Sequence, residues 1–211
     1  MIEMYVKKVS LESARKIYMT YLKTDFPSEE IKPFAVIEKM WNNDSYYVYA
    51  FYEKASEDDT GKSMYDQRDI LCAYAFLLAD NTKHTLLLDY FAVCKDRRGE
   101  GYGSRAIALL REVCADRDVL VVEVEDDELP DISAEIRNTR KRRISFYTEA
   151  GCRMTDVRSL VWGVNYRIMI LPLREEDAVE HDAEEISEKV RALYRGMYNE
   201  RELQKHFAIL S

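Results

Sequence analysis

Three glycines at alternate positions, Gly99, Gly101 and Gly103, follow Arg98 within the stretch LLLDYFAVCKDRRGEGYGS over residues 86–104. Glycine tolerates positive φ and lets another group approach the backbone closely. Ala106, Ile107, Leu110, Val113 and Cys114 then recur at helical spacing, so the glycines stand where a strand turns into a helix. A helix start presents unpaired N–H groups and the positive end of the helix dipole. Together these features predict an anion site, suited to a phosphate or pyrophosphate.

The spacing narrows the class of phosphate site. A Walker loop needs a Gly-Lys-Ser/Thr ending, which is absent, and the dinucleotide fingerprint fails because the third glycine comes one residue early. What stands here is Arg98-x-x-Gly101-x-Gly103, preceded by an apolar run that ends Phe91-Ala92-Val93. This resembles the acetyl-CoA-binding motif of the GNAT superfamily of N-acetyltransferases, Gln/Arg-x-x-Gly-x-Gly/Ala between a strand and a helix. The resemblance extends over about residues 1–173.

The resemblance implies a mixed α/β fold: a central, mostly antiparallel sheet with a splayed parallel strand pair, flanking helices and a C-terminal helical extension. It implies acetyl-CoA as the acyl donor, its pantetheine arm lying between the splayed strands. Phe91, Ala92 and Val93 would pair with that arm in the manner of a neighbouring strand. Arg98, Gly99, Glu100, Gly101, Tyr102, Gly103 and Ser104 would hold the pyrophosphate.

Moving an acetyl group from a thioester to an amine poses three demands. The amine must lose a proton, although an alkylamine has a pKa of about 10. The carbonyl oxygen gains negative charge, and the departing thiolate benefits from a proton. By resemblance, backbone N–H groups where the strand around residues 90–93 bulges or splays would receive the oxyanion. The family's acid is a tyrosine in an aromatic pair shortly before a glycine, which Phe146-Tyr147-Thr148-Glu149-Ala150-Gly151 matches at Tyr147. Val122-Glu123-Val124 matches a segment in which some relatives carry a catalytic glutamate, making Glu123 the candidate base and Asp89 the runner-up. A carboxylate in an apolar strand has its proton affinity raised, which suits proton abstraction. One departure is visible: where relatives often place an asparagine that holds the cofactor arm, this chain has Arg140, with Arg143 following. These arginines either reach cofactor phosphates or neutralise the acidic loop before them, the plainer of the two.

Residues 3–9 predict a first strand, and Ser10 is placed to cap a helix whose face is Leu11, Ala14, Tyr18, Tyr21 and Leu22. Phe26-Pro27-Ser28 breaks it. A second helix is predicted over about 30–41, with Pro33 tolerated near its start. Strands are predicted over 46–53 and 69–79, separated by an exposed polar loop over 54–68, and a turn at 80–84 leads into the Leu86 strand. Short connections make this an antiparallel meander. After the glycine turn and its helix, VLVVEVE at 119–125 reads as a buried strand. Strand, helix, strand implies a right-handed crossover and a parallel pair, whose C-terminal ends are where ligands sit in open α/β sheets. A basic helix closed by Gly151 and a hairpin over 153–171, turning near Gly163, complete residues 1–173. All the core elements expected precede residue 174. In the tail, 174–211, Ile186, Val190, Leu193, Tyr194 and Met197 share one helical face, which either caps its own domain or meets a second subunit in a homodimer.

The chain has 211 residues, 47% hydrophobic and 33% charged, an ordinary composition for a soluble globular domain. A net charge of −8 argues against general nucleic-acid binding. No apolar run nears the roughly 20 residues of a membrane span, and the N-terminus has no signal-peptide layout. Cys72, Cys94, Cys114 and Cys152 are widely spaced in apolar surroundings, so neither a disulfide frame nor a metal site is expected. A cytoplasmic location follows. The leading expectation is an N-acetyltransferase acting on a primary amine of a small molecule or protein by direct attack in a ternary complex. The alternatives are an acyl-CoA sensor without turnover, or an interaction protein built around the C-terminal helix.

Overall fold

The computed structural model describes residues 3–54, 69–174 and 182–210. One eight-stranded sheet runs through them in the order β1-β2-β3-β4-β5-β7-β6-β8. The meander is as expected. β1 (Met4–Lys8), β2 (Tyr46–Glu53), β3 (Ile70–Ala79) and β4 (Thr85–Val93) are successive antiparallel neighbours. The polar loop expected over 54–68 lies, apart from Lys54, outside the described residues.

Ser10 caps α1 (Leu11–Ile17), its hydroxyl accepting from the Ser13 N–H. The helix runs on through a π turn, Tyr18–Leu22, into a last short turn, α2 (Lys23–Asp25). The helix expected from residue 30 begins later, as α3 (Phe34–Asn42), with Pro33 as its extended N-cap. Proline disfavours the helical region for the residue before it, so the single 3-10 turn at Ser28–Glu30 does not run on through Lys32 into α3.

α4 (Tyr102–Val113) follows the glycine turn and leads into β5 (Val119–Glu125), which pairs parallel with β4. α5 (Ala134–Glu149) is capped by Ser133 and stops before Gly151, whose φ is +97°. β6 (Arg153–Val161) and β7 (Val164–Pro172) form the expected hairpin, closed by Trp162 and Gly163, both at positive φ as a two-residue turn requires.

Side-chain alternation sends the strands' apolar residues to two faces. Leu87, Val121 and Ile170 meet Ala14, Leu22 and Ile37 on one face, while Leu86, Leu88 and Val122 meet Ala106, Ile107 and Leu110 on the other. β3 is buried on both sides, which explains its unbroken apolar run.

The expectation that all core elements precede residue 174 does not hold. α6 (Ala183–Met197) packs across β3, β4, β6 and β8 on the α1–α3 face, and its Ile186, Val190 and Leu193 are wholly buried there. α7 (Glu200–His206) then leads to β8 (Phe207–Leu210), which pairs antiparallel with β6 at the sheet edge. Of the two places open to the tail helix, its own domain takes it. The strand after it was not expected, because four residues are too few to show an alternation.

Candidate active site

β4 and β5 are paired only at their beginnings, Thr85 to Leu87 against Val119 to Val121. Beyond this point β5 stays paired with β7, Glu123 lying opposite Ile168, and β4 with β3, so the two strands part. The registers on β3 explain why. Phe76 faces Tyr90 while Leu77 faces Leu88, leaving Asp89 as an extra residue in a β-bulge. The bulge bends β4 away and puts the side chains of Asp89 and Tyr90 on one face in succession. It lies one residue ahead of the 90–93 stretch.

On the α4–α5 face, the mouth of this opening is the glycine turn. Gly99 and Gly101 have φ of +82° and +84°, and a Cβ on either would meet nothing within 4 Å. Gly101 is the N-cap of α4 and offers no capping side chain. Among the described residues, the first-turn N–H groups of Tyr102, Gly103 and Ser104 meet no acceptor. Open space beside unpartnered N–H groups fits an anion such as a pyrophosphate. Glu100 and Ser104 are exposed at the same turn.

The side chains of Tyr102 and Arg98 and the Cβ position of Gly103 are engaged elsewhere. Gly103 is a packing glycine, since a Cβ there would lie 2.9 Å from Phe146 Cε2 and 3.4 Å from Val93 Cγ2. The Tyr102 ring is buried and its hydroxyl donates to Glu53 Oε2 at 2.8 Å, so only its backbone faces the turn. Arg98 donates from Nε to the Val93 carbonyl and from its terminal nitrogen to the buried carboxylate of Asp25, both at 2.9 Å. Its guanidinium ties the end of β4 to α2.

Phe91, Ala92 and Val93 are half-buried along the part of β4 that has left β5. Phe91 stacks on Phe146, with ring centroids 6.1 Å apart, and Phe146 meets Tyr147 edge to face at 4.9 Å. The Tyr147 hydroxyl has no hydrogen-bond partner among the described residues. Burial raises its pKa above the ordinary phenol value, with the Cys152 thiol adding to the effect and Arg143 opposing it. It is therefore protonated at neutral pH.

Glu123 projects to the other face. Tyr194 of α6 donates its hydroxyl to Glu123 Oε2 at 2.7 Å, and Ser159 makes a long 3.5 Å contact to Oε1. Burial pushes the Glu123 carboxyl up to about 7, the hydroxyl of Tyr194 and the charge of Lys32 working against the rise. Part of its surface stays accessible. Asp89 is nearby but fully engaged: Lys32 Nζ sits 2.7 Å from Oδ1, and the Tyr46 hydroxyl donates to Oδ2. Burial opposes the charge on Lys32, but Asp89 outweighs it and the ammonium is held protonated. Tyr90 fastens the loop that carries Lys32, accepting from the Lys32 N–H and donating to the Glu30 carbonyl, both at 2.9 Å.

Three arginines of α5 reach Glu125 and the acidic loop after it, while Arg142 bonds back to Thr139 of its own helix. Arg140 donates to the Asp126 carbonyl at 2.7 Å and pairs with Glu125, Arg143 pairs with Glu125 as well, and Arg137 donates to the carbonyls of Asp127 and Leu129. This is the plainer of the two readings of the basic stretch. Sequence reasoning missed Lys32, Tyr46 and Tyr194. Only Tyr194 carried a signal, as a polar tip on an otherwise apolar helical face.

A mixed sheet whose one parallel pair opens beside a glycine-capped helix start is the architecture of an acyl-CoA-dependent transferase. The family model described as the acetyltransferase (GNAT) family matches residues 12–151, and the chain belongs to that family. Acetyl-CoA is the cosubstrate that goes with it. Among solved structures, a Bacteroides thetaiotaomicron protein assigned to the GNAT family aligns with a TM-score of 0.60 at 18% identity, over 88% of this chain and 93% of that one. The ribosomal-protein-S18-alanine N-acetyltransferase of Escherichia coli aligns with a TM-score of 0.51 at 15% identity, over 82% and 95%. A spermidine N-acetyltransferase of Vibrio cholerae, solved with CoA and spermine, aligns with a TM-score of 0.51 at 10% identity, over 81% and 95%. At these identities the likeness establishes the fold. No curated protein sequence matches the chain. Among the described residues, no helix is long and apolar enough to cross a membrane.

Proposed function

We propose that the protein is an N-acetyltransferase that moves the acetyl group of acetyl-CoA to a primary amine by direct attack in a ternary complex. The single observation that carries this reading is the disposition of Glu123 and Tyr147 on opposite faces of the gap between β4 and β5. Such a gap lets donor and acceptor enter from different sides and meet in the middle.

The residues divide the work as follows. The N–H groups at the start of α4, with Gly99 and Gly101 keeping the approach open, hold the phosphates of the donor. The free edge of β4 at Phe91, Ala92 and Val93 holds its amide arm, and backbone N–H groups at the Asp89 bulge would receive the carbonyl oxygen as it gains charge. When bound, acetyl-CoA supplies an activated acyl carbon and a thiol leaving group. Glu123 takes a proton from the acceptor ammonium, and its raised proton affinity matches that task near neutral pH. Asp89, with its two oxygens engaged by Lys32 and Tyr46, is not free for this role. The new C–N bond forms as the C–S bond breaks. Tyr147 gives its proton to the sulfur and is reprotonated from the nitrogen, so that one proton in all is released to solvent.

Among the described residues the hydrogen-bond partners of Glu123 are the neutral hydroxyls of Tyr194 and Ser159, so its carboxylate has no directly paired cation on the acceptor side. A cationic acceptor suits it, either a small-molecule amine or a protein amine. The Vibrio cholerae protein is named for spermidine and the Escherichia coli protein for a ribosomal protein, one acceptor of each kind.

The test is thiol release from acetyl-CoA against a panel holding spermidine, simple alkylamines and peptides with free N-termini. Release with any one of these, lost in Glu123→Gln, supports the reading. Tight acetyl-CoA binding with no release across the panel would favour the sensor instead.

A further inference from the structure

Glu123 is held by an element outside the matched family segment, which ends at residue 151. Its 2.7 Å hydrogen bond comes from Tyr194, 71 residues further along the chain. Tyr194 is buried, and its ring stacks on Phe207 of β8 at 4.4 Å and on Tyr198 at 6.2 Å. The ring thus stacks against Tyr198, just past the end of α6, and Phe207 of β8, with its hydroxyl directed at Glu123.

We propose that Tyr194 is a positioning residue for Glu123, its hydroxyl aiming the carboxylate at the acceptor amine, so that the C-terminal segment completes the acceptor side of the active site. This rests on the reading of Glu123 as the base. A glutamate side chain has three rotatable bonds, and a base must hold its oxygen within hydrogen-bond reach of the proton it removes. Tyr194 occupies Oε2 and leaves Oε1, whose other contact is the long one to Ser159, to face the amine. The groups around the carboxylate are Ser159 of β6, Tyr166 of β7, Asp89 of β4, Lys32 of the loop before α3 and Tyr194 itself. Among the described residues only the hydroxyls of Tyr194 and Ser159 bond to it, and the former is far the closer.

The test is a carboxyl titration that needs no acceptor. Protein carrying ¹³C at the glutamate carboxyl is followed by NMR from about pH 4 to about pH 10, the Glu123 signal being identified by its loss in Glu123→Gln. Tyr194→Phe keeps the stacked ring and removes the donor, and is expected to raise the Glu123 midpoint by about one pH unit. Placing 3-fluorotyrosine at position 194, a more acidic phenol of nearly the same shape, lowers the midpoint and guards against a fold lost in the phenylalanine variant. Packing alone moves neither in these opposite senses, and unmoved midpoints overturn the proposal. In the thiol-release panel, Tyr194→Phe lowers kcat about tenfold with the acetyl-CoA KM unchanged. The reading of Glu123 as base is judged separately. Glu123→Gln turning over like wild type removes that reading and the positioning role with it, whereas an inactive Glu123→Gln beside unmoved midpoints removes Tyr194 alone.

Discussion

Gly103 and Phe146 occupy what would be the same space: a Cβ at position 103 would come within 2.9 Å of the Phe146 ring edge. Gly101, two residues earlier, has open space where its Cβ would be and a φ of +84°. The two glycines of one motif therefore serve different ends.

Substitution separates them. Gly101→Val places a side chain in the open approach and strains a left-handed backbone by about 1–2 kcal/mol, so acetyl-CoA binding should vanish while the melting temperature falls only modestly. Gly103→Ala pushes the ring off its stack on Phe91, costing about 1–3 kcal/mol of stability and disturbing Tyr147 beside it. Calorimetric titration and thermal unfolding on both variants check this. Normal acetyl-CoA affinity in a folded Gly101→Val protein would put the phosphates elsewhere.

Tyr147→Phe keeps the edge-to-face packing on Phe146 and deletes only a hydroxyl that has no protein partner. Acetyl-CoA affinity should hold while turnover drops by roughly 10²–10⁴-fold, if protonation of the thiolate limits the rate. Steady-state kinetics with a working acceptor decide it. Turnover within a few-fold of wild type, with chemistry shown to be rate-limiting, removes Tyr147 from the mechanism.

Glu123 also makes stability depend on pH. Its carboxyl keeps its proton up to about 7 in the folded protein, against an ordinary value of 4.5. Between these values the native state binds more protons than the unfolded one, so stability falls as pH rises through the window. The loss amounts to about 3 kcal/mol above pH 7, at about 1.4 kcal/mol per pH unit. Glu123→Gln, which still accepts from Tyr194, should be the more stable protein at pH 8, and the difference should fade below about pH 4.5. Denaturant unfolding of both proteins across this range reads it directly, and a constant difference contradicts the assignment.

Truncation after residue 181 removes Ile186, Val190 and Leu193, each wholly buried. At about 1.5–3 kcal/mol per side chain, the loss rivals the roughly 5–15 kcal/mol that holds a domain together. The truncated protein should lose its near-ultraviolet dichroism and cooperative melting. A sharp, native-like transition would show that the rest of the sheet stands without α6.

Much of the scaffold is local and so was legible in the sequence. β2 and β5 match their expected spans residue for residue, since apolar, β-branched or aromatic runs bounded by turns leave little choice. The glycine turn was legible for the same reason: its chemistry lies in consecutive residues. The surroundings of the two carboxylates were not, because Lys32 and Tyr46 reach Asp89 across 57 and 43 residues and Tyr194 reaches Glu123 across 71. No spacing along the chain records such meetings. Helix α3 shows a local rule misjudged, its start displaced to Phe34 by Pro33.

The 71-residue separation of Glu123 from Tyr194 also orders events during synthesis. At roughly 5–20 residues per second, a ribosome joins Glu123 to the chain roughly 4–14 s before it joins Tyr194. Throughout that interval the glycine turn, the Asp89 bulge and Tyr147 are or become available to the growing chain, while the clamp on Glu123 does not yet exist. The donor side of the enzyme can thus take shape on the ribosome ahead of the acceptor side, and the acceptor side is finished last.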